Sequence, residues 1–205
     1  MFWIYMKTNP FYAVILAAGN SGRMGRDKFL LSCPGGHNFL THITQNYLAY
    51  GCRSVVAVLP AGGKKKAGAC MSFDPRQLIT IENPDAELGR AHSLRLALKA
   101  LPGPAPVFVH NVDNPFLDHR TLDMLAGKLK EGGYVRPLYQ GQGGHPIILS
   151  ATLAAHIAVN LRPGTQMNTW LKQFPQTEVE VNDPGVLVNI NTPEDYHKHV
   201  KNLSE

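Results

Sequence analysis

The chain has 205 residues, of which 44% are hydrophobic and 17% are charged, and its formal net charge is +5 at pH 7. These values exclude an intrinsically disordered chain and fit one domain of ordinary size with a continuous core. No apolar run approaches the roughly 20 residues of a membrane span, and the apolar start Met1–Lys7 lacks the basic front of a signal peptide.

Charge and cysteine usage narrow the class of partner. A positive net charge favours anions, but the cations are dispersed and aromatic residues do not alternate with them, which argues against nucleic acid. The three cysteines are widely spaced and form no metal-binding motif, and an odd number argues against a disulfide framework. We therefore expect a cytoplasmic protein with reduced thiols that binds neither nucleic acid nor a membrane.

Short β-rich segments alternate with longer helical patterns along the chain. This alternation predicts an α/β fold with a parallel or mostly parallel sheet and helices on both faces. The predicted strands are Tyr12–Ala17, Ser54–Leu59, Leu78–Glu82, Val107–Asn111, Tyr134–Tyr139, Pro146–Leu149, Glu178–Val181 and Gly185–Asn189. The predicted helices are Asn38–Tyr50, Lys65–Ser72, Glu87–Leu101, Asp118–Lys130, Ala151–Asn160, Thr165–Phe174 and Pro193–Leu203. We expect residues 1–10 to be an N-terminal extension and residues 11–205 to form the domain.

The first predicted strand ends in a loop rich in glycine and positive charge. Its glycines and cations are Gly19, Gly22, Gly25, Arg23, Arg26 and Lys28. The glycines lie three residues apart, so the backbone can adopt positive φ and approach a ligand closely. The N–H groups of such a turn form a concavity for anions, to which the cations add full charges. The loop therefore predicts a polyphosphate site.

Two better-known phosphate loops do not fit this segment. A Walker loop requires Ser or Thr after its lysine, but Phe29 follows Lys28 and the glycine spacing differs. A dinucleotide fingerprint requires GxGxxG, which the segment Gly19–Gly22 breaks at the second glycine. The broken fingerprint disfavours a nicotinamide-dependent oxidoreductase.

Polar residues follow two later strands of the predicted sheet. Asp113 comes after the strand Val107–Asn111, where it could hold Mg²⁺, which prefers oxygen ligands, or merely cap a turn. Asn189 and Asn191 lie two residues apart, so both side chains would face the same way in extended backbone. They could bind the same cation or form turns that introduce the last helix. Because ligands bind at the carboxyl ends of strands in such sheets, we expect one site.

Five segments resemble the nucleotidyltransferases that act on molybdenum cofactor, the MocA-type cytidylyltransferases and MobA-type guanylyltransferases. Leu16–Lys28 matches LAAGxSxRMGxxK, and Asn83–Leu94 is similar to NPxxxxGxxxSL. Asp113-Asn114-Pro115 resembles the family's Asp-Gln-Pro, with Asn114 in place of the glutamine. Asn189–Asp195 is similar to its N/D-x-N/D-TPED ending, and Gly144-His145-Pro146 to its GHP element, in a form more typical of the cytidylyl branch.

The resemblance implies a single Rossmann-like domain of the nucleotidyltransferase or GT-A-like type. It implies transfer of a nucleoside monophosphate from a nucleoside triphosphate to a small phosphorylated acceptor, with Mg²⁺ as cofactor and pyrophosphate as product. Ala18 stands where the guanylyl branch has glycine, which implies CTP, since a methyl group there narrows the space beside the base. The implied acceptor is molybdopterin bearing molybdenum, and a client molybdoenzyme is the implied protein partner.

Three alternatives stay open at this point. They are a GTP-dependent MobA-like guanylyltransferase, a sugar-phosphate nucleotidyltransferase, and a non-catalytic nucleotide-binding or chaperone module for a molybdoenzyme.

The motifs assign candidate residues to four roles. The catalytic candidates are Arg23, Lys28 and Asp113. The nucleotide-binding candidates are Leu16, Ala17, Ala18, Gly19, Ser21, Gly22, Arg23, Gly25, Lys28, Asn83, Gly89 and Ser93. The acceptor-binding candidates are Asn114, Pro115, Gly144 and His145. The candidate metal ligands are Asp113, Asn189 and Asn191.

Overall fold

Eight strands form one sheet in the computed structural model, which describes residues 10–19 and 24–200. The strands are β1 (Tyr12–Leu16), β2 (Val55–Pro60), β3 (Leu78–Asn83), β4 (Val107–Asn111), β5 (Tyr134–Tyr139), β6 (Gln142–Gly143), β7 (Ile147–Leu149) and β8 (Gln176–Glu180). Their order across the sheet is β3-β2-β1-β4-β7-β5-β6, and β8 pairs with β5. The four strands β1–β4 are parallel, whereas β7 runs antiparallel to β4 and β5. The predicted α/β fold with a mostly parallel sheet core is confirmed.

Helices cover both faces of the sheet, as predicted. They are α1 (Phe39–Tyr50), α2 (Gly63–Cys70), α3 (Gly89–Lys99), α4 (His119–Ala126), α5 (Ala151–Asn160), α6 (Met167–Leu171) and α7 (Pro193–His199). Successive strand residues point to opposite faces. Ile15 of β1 therefore belongs to a buried cluster with side chains of α1, α4 and α7, while Val14 belongs to a second cluster with side chains of α3, α5 and α6.

The direction of chain progression across the sheet reverses between β1 and β4. From β1 the chain moves outward to β2 and β3, and it then crosses back to place β4 on the other side of β1. Leu16 pairs with Asn111 at the carboxyl ends of these strands, and the Val112 N–H donates to the Leu16 carbonyl at 3.1 Å. Such a reversal is where ligands bind in open α/β sheets. It brings the segment after β1 next to Asp113.

The predicted strand Gly185–Asn189 is wrong, because a 3₁₀ turn occupies Pro184–Leu187. Proline has no N–H to donate to a sheet ladder, and the Asp183 carboxylate accepts a hydrogen bond from the Gly185 N–H at 2.9 Å. The carbonyls of Gly185 and Val186 accept hydrogen bonds from the Asn114 side chain instead of a neighbouring strand.

Several predicted helix boundaries also differ from the structure. A 3₁₀ turn at Ala86–Leu88 precedes α3, which begins at Gly89 with φ of +81°, a conformation that glycine adopts at no steric cost. The helices α4 and α6 are shorter than predicted, and the two-residue strand β6 was not predicted. Of the predicted N-terminal extension only Pro10 lies within the described residues, and the last predicted helix runs past them at residues 201–203.

Two further observations concern the whole described chain. No helix within residues 10–19 and 24–200 is both long enough and apolar enough to cross a membrane. All three cysteines are free thiols, as predicted.

Candidate active site

A cleft of about 810 Å³ opens at the carboxyl ends of β1 and β4. It brings together twelve of the candidate residues, namely Leu16, Ala17, Ala18, Gly19, Lys28, Gly89, Ser93, Asp113, Gly144, His145, Asn189 and Asn191. Four candidates do not line it: Gly25, Asn83, Asn114 and Pro115. Three candidates, Ser21, Gly22 and Arg23, lie outside the described residues. The cleft thus unites residues from all four assigned roles.

The floor of the cleft begins where β1 ends. The Ala17 N–H donates to the Val58 carbonyl at 2.8 Å, which continues the pairing with β2 by one residue. Ala17 and Ala18 are both buried, and their side chains belong to clusters on opposite faces of the sheet. At Gly19 the surface opens, because a Cβ atom there would meet nothing within 4 Å. A ligand can therefore approach the backbone closely at this point.

Lys28 connects the loop after β1 to the two polar segments predicted to hold a cation. Its Nζ donates to Asn191 Oδ1 at 2.6 Å and lies 3.5 Å from Asp113 Oδ2. The lysine side chain is only 12% exposed. Three residues far apart in the sequence therefore meet at one edge of the cleft.

Asp113 has one carboxylate oxygen that no group in the described residues satisfies. Its Oδ1 is buried and accepts no hydrogen bond there, an arrangement that costs free energy unless a ligand supplies a partner. The amides of Asn189 and Asn191 line the same cleft. Carboxylate and amide oxygens suit a hard divalent cation such as Mg²⁺. Within the described residues, no group of three or more His, Cys, Asp or Glu side chains is arranged to hold a metal ion.

The C-terminal motif fixes Asn191 beside Asp113. The Ile190 N–H donates to the Asp113 carbonyl at 2.7 Å. Asp195 Oδ2 accepts from the N–H groups of Asn191 and Thr192 at 2.9 Å each, and Thr192 Oγ1 accepts from the Asp195 N–H. This reciprocal capping box starts α7. The hydrogen bond from the Asn191 N–H is the main reason why the pKa of Asp195 is lowered.

Asn83 stands behind the cleft. Its buried Nδ2 donates to Ser93 Oγ at 3.0 Å, and its Oδ1 accepts from the Asp85 N–H at 3.0 Å. Ser93 lines the cleft, whereas Asn83 does not. Asn83 therefore orients the Ser93 hydroxyl and the turn that leads into α3.

Asn114 is also fully buried and faces the protein. Its Nδ2 donates to the carbonyls of Gly185 at 3.1 Å and Val186 at 3.2 Å. The main-chain carbonyl of Asn114 contacts His110 Nε2, while His110 Nδ1 lies 2.9 Å from the Tyr47 hydroxyl. Burial lowers the pKa of His110 to about 4. The neutral ring donates from Nε2 to the Asn114 carbonyl and accepts from Tyr47 at Nδ1, because a carbonyl can only accept.

His145 also lines the cleft. The main-chain N–H of His145 donates to the Val186 carbonyl at 2.9 Å. The ring Nε2 lies 3.1 Å from Asn111 Nδ2 and accepts a hydrogen bond from it. Burial, reinforced by the positive charge of Arg90, lowers the pKa of His145 to about 4. At neutral pH the ring is therefore uncharged, and its buried Nδ1 has no hydrogen-bond partner among the described residues.

Four polar residues line the cleft that the sequence did not single out, namely Arg90, Asn111, Gln142 and Asn168. Asn111 could have been found, because it ends the same strand that leads to Asp113. Arg90 follows Gly89 in the segment Asn83–Leu94, of which only Asn83, Gly89 and Ser93 are candidate residues. Gln142 and Asn168 belong to no recognised motif.

The chain is similar to known proteins in sequence and in fold. The model of the MobA-like NTP transferase domain matches residues 13–179. The chain is 28% identical over 185 residues to the molybdenum cofactor cytidylyltransferase of Escherichia coli (strain K12), covering 89% of this chain and 92% of that protein. It is 25% identical over 169 residues to the nicotine blue oxidoreductase of Paenarthrobacter nicotinovorans, covering 79% and 81%. The structure of Rv0371c from Mycobacterium tuberculosis H37Rv in complex with manganese shares the fold, with a TM-score of 0.72, 22% identity, and 95% and 100% coverage.

Proposed function

Because the chain belongs to the MobA-like NTP transferase domain family and is therefore a nucleotidyltransferase, we propose that it transfers CMP from CTP to a small phosphorylated acceptor and releases pyrophosphate. The observation that carries this proposal is the meeting of Lys28, Asp113 and Asn191 beside the glycine loop. A cation with little exposed surface, a carboxylate with an unsatisfied oxygen and open backbone at Gly19 suit a triphosphate and its counterion.

Asp113, with the amides of Asn189 and Asn191, would hold a divalent cation, which we propose is Mg²⁺. When bound, such an ion neutralises negative charge on phosphate oxygens as it develops. The manganese complex of Rv0371c, a relative in fold, supports a divalent ion of this kind.

The remaining chemistry consists of positioning and charge stabilisation. An oxygen of the acceptor phosphate forms a bond to the α-phosphorus of CTP as the bond to pyrophosphate breaks. Lys28 and Arg23, with the loop amides, hold the phosphates and stabilise the charge that accumulates on the leaving pyrophosphate. An ionised phosphate needs no general base, which agrees with the lowered pKa of His145, because an imidazole with so low a pKa is a weak base.

The acceptor would occupy the side of the cleft that Gly144 and His145 line. Asn114 and Pro115 would act behind it, because the Asn114 amide holds the carbonyl of Val186, which in turn accepts from the His145 N–H. The similarity to the Escherichia coli molybdenum cofactor cytidylyltransferase supports molybdenum-loaded molybdopterin as this acceptor. We further propose that the reaction takes place in the cytoplasm and that a client molybdoenzyme receives the product, as the resemblance of the motifs implies. We assign this activity to one domain, residues 11–205.

Product analysis tests the proposal. Purified protein is incubated with CTP or GTP, Mg²⁺ and phosphorylated acceptors, and pyrophosphate release is measured. We expect release from CTP when molybdenum-loaded molybdopterin is present. Preference for GTP would indicate a guanylyltransferase, and transfer to a sugar phosphate would indicate a sugar-phosphate nucleotidyltransferase. Nucleotide binding without turnover would indicate a non-catalytic nucleotide-binding or chaperone module. Electron transfer without pyrophosphate release would instead indicate an oxidoreductase activity like that of the relative from Paenarthrobacter nicotinovorans.

Two substitutions test the site itself. Lys28→Ala and Asp113→Ala should each lower kcat by at least roughly a hundredfold, because each removes a group that stabilises developing charge. Lys66→Ala and Asp118→Asn serve as controls, since Lys66 pairs with Asp27 at the surface and asparagine can still cap α4. Near-normal rates in both site variants would place the reaction elsewhere.

A further inference from the structure

The Lys28 ammonium lies against the residues that are proposed to bind the divalent cation. Its Nζ is 2.6 Å from Asn191 Oδ1 and 3.5 Å from Asp113 Oδ2. Both are oxygen atoms of the kind that such a cation prefers. The lysine therefore already provides positive charge at this position in the protein alone.

The charges of the proposed metal ligands leave little attraction for a second cation. Asn189 and Asn191 are neutral, so Asp113 supplies the negative charge among the three. The adjacent ammonium offsets that charge. A like charge within about 4–6 Å strongly disfavours a cation, as it does in the titration of neighbouring groups.

We propose that Lys28 acts as the counterion of Asp113 and keeps free divalent ions out of this site until a nucleoside triphosphate binds. The entering phosphates attract the Lys28 ammonium, whose flexible four-carbon stem lets it move from Asp113 and Asn191 to the phosphate oxygens. Asp113 and Asn191 then become available to the metal ion that accompanies the nucleotide. The inference rests on the proposed function, and it deepens that function by making metal binding conditional on nucleotide binding.

A second feature of Asp113 fits this order of events. Its Oδ2 faces Lys28, while its buried Oδ1 has no hydrogen-bond partner among the described residues. One carboxylate oxygen thus has an ion-pair partner, whereas the other has no hydrogen-bond partner among the described residues. Removal of the ammonium would free the whole carboxylate for a metal ion without rearranging the backbone, because the Ile190 N–H holds the Asp113 carbonyl at 2.7 Å.

Titration with Mn²⁺ tests the inference in the absence of turnover. Bound Mn²⁺ is measured by electron paramagnetic resonance for the wild type, Lys28→Met and Lys28→Arg, with and without α,β-methylene-CTP. Without nucleotide, Lys28→Met should bind Mn²⁺ at least about tenfold more tightly than the wild type, because one nearby like charge is gone. Lys28→Arg keeps the charge and should behave as the wild type, and Asp113→Asn should bind weakly in every background.

The matched control is Lys66→Met, which removes the same charge from an ion pair with Asp27 at 2.7 Å and should leave Mn²⁺ binding unchanged. Lys28→Gln provides a second neutral variant if Lys28→Met folds poorly. Unchanged or weaker Mn²⁺ binding in the neutral variants would overturn the inference, and the proposed function would still stand if the wild type binds and turns over CTP. A wild type without affinity for CTP would instead refute the proposed function, whether or not Lys28→Met binds Mn²⁺ tightly.

Discussion

Ala18 and its neighbour Ala17 offer a matched pair at the base of the cleft. Both side chains are buried methyl groups that line it, with exposed fractions of 3% and 5%. Ala18 packs within the cluster on the α3 side of the sheet, and Ala17 within the cluster on the α1 side. The same chemical change at the two positions therefore alters opposite faces of the β1 end.

Ala18→Gly should relax the preference for CTP over GTP. If the Ala18 methyl group narrows the space beside the base, its removal should raise kcat/KM for GTP relative to CTP by about tenfold, the discrimination that one methyl-sized group commonly provides. The measurement is kcat/KM for pyrophosphate release with each nucleotide. Ala17→Gly is the control and should keep the wild-type ratio. An unchanged ratio in Ala18→Gly would remove the structural argument for a cytidylyltransferase.

Individual residues of the cleft differ in how well their positions can be predicted from the sequence. The sequence predicted that Lys28 and Asp113 would share one site, because each belongs to a polar segment that follows a strand, and both line the cleft. The amides of Asn83 and Asn114 were predicted to contact ligands, but both donate to protein oxygens behind the cleft. An asparagine has the same donors and acceptor whichever way it faces, so only the fold decides its partner.

At the scale of elements, the segment between β6 and β7 packs tightly on the 3₁₀ turn Pro184–Leu187. A Cβ atom added at Gly144 would lie 2.5 Å from the Val186 carbonyl oxygen, closer than real contacts allow. That oxygen also accepts hydrogen bonds from the His145 N–H and the Asn114 amide. Glycine at this position therefore lets two irregular segments meet where the cleft is formed.

Gly144→Ala should destabilise the protein by about 1–3 kcal/mol, the usual cost of overpacking a close contact, and should raise KM for the acceptor more than KM for CTP. The first effect follows because backbone at Val186 must move, and the second because His145 moves with it. Urea unfolding and steady-state kinetics measure the two. Gly103→Ala is the control, since a Cβ atom there meets nothing within 4 Å. Wild-type stability in Gly144→Ala would contradict the packing argument.

The same turn explains the wrong strand prediction at Gly185–Asn189. Its apolar residues Val186, Leu187 and Val188 look like a buried strand in the sequence, and Val186 is indeed buried. The apolar pattern indicates only that the segment contains buried residues, however, and not which backbone conformation they adopt. The hydrogen bonds from Asn114 and His145, both distant in the sequence, make the turn the better way to satisfy these carbonyls.

At the scale of the whole molecule, one buried histidine joins the sheet to the loop that carries Asp113. His110 lies on β4, which is central in the strand order, and contacts both Tyr47 of α1 and the Asn114 carbonyl. The alternation of elements predicted this sheet with helices on both faces. It could not predict the His110 contacts, because they depend on the register of β4 against the helix that covers it.

Stability should fall as the pH drops from about 6.5 to about 4. Burial lowers the pKa of His110 from 6.5 to about 4 in the folded chain, so between these values the unfolded chain binds more protons. The free energy of unfolding therefore rises with pH across this window, by up to about 3 kcal/mol for a shift of this size. Burial also lowers the pKa of His145 and of His42, which adds to the slope.

Urea unfolding at several pH values between about 7 and about 4.5 measures this dependence. His110→Gln should be less stable than the wild type at neutral pH, because the hydrogen bonds to Tyr47 and Asn114 are weakened, yet it should lose less stability on acidification. His197→Gln, an exposed position on α7, should keep the full wild-type slope. If His110→Gln and the wild type lose equal stability on acidification, the buried imidazole is not the group that titrates, and the hydrogen bonds assigned to its neutral form are wrong.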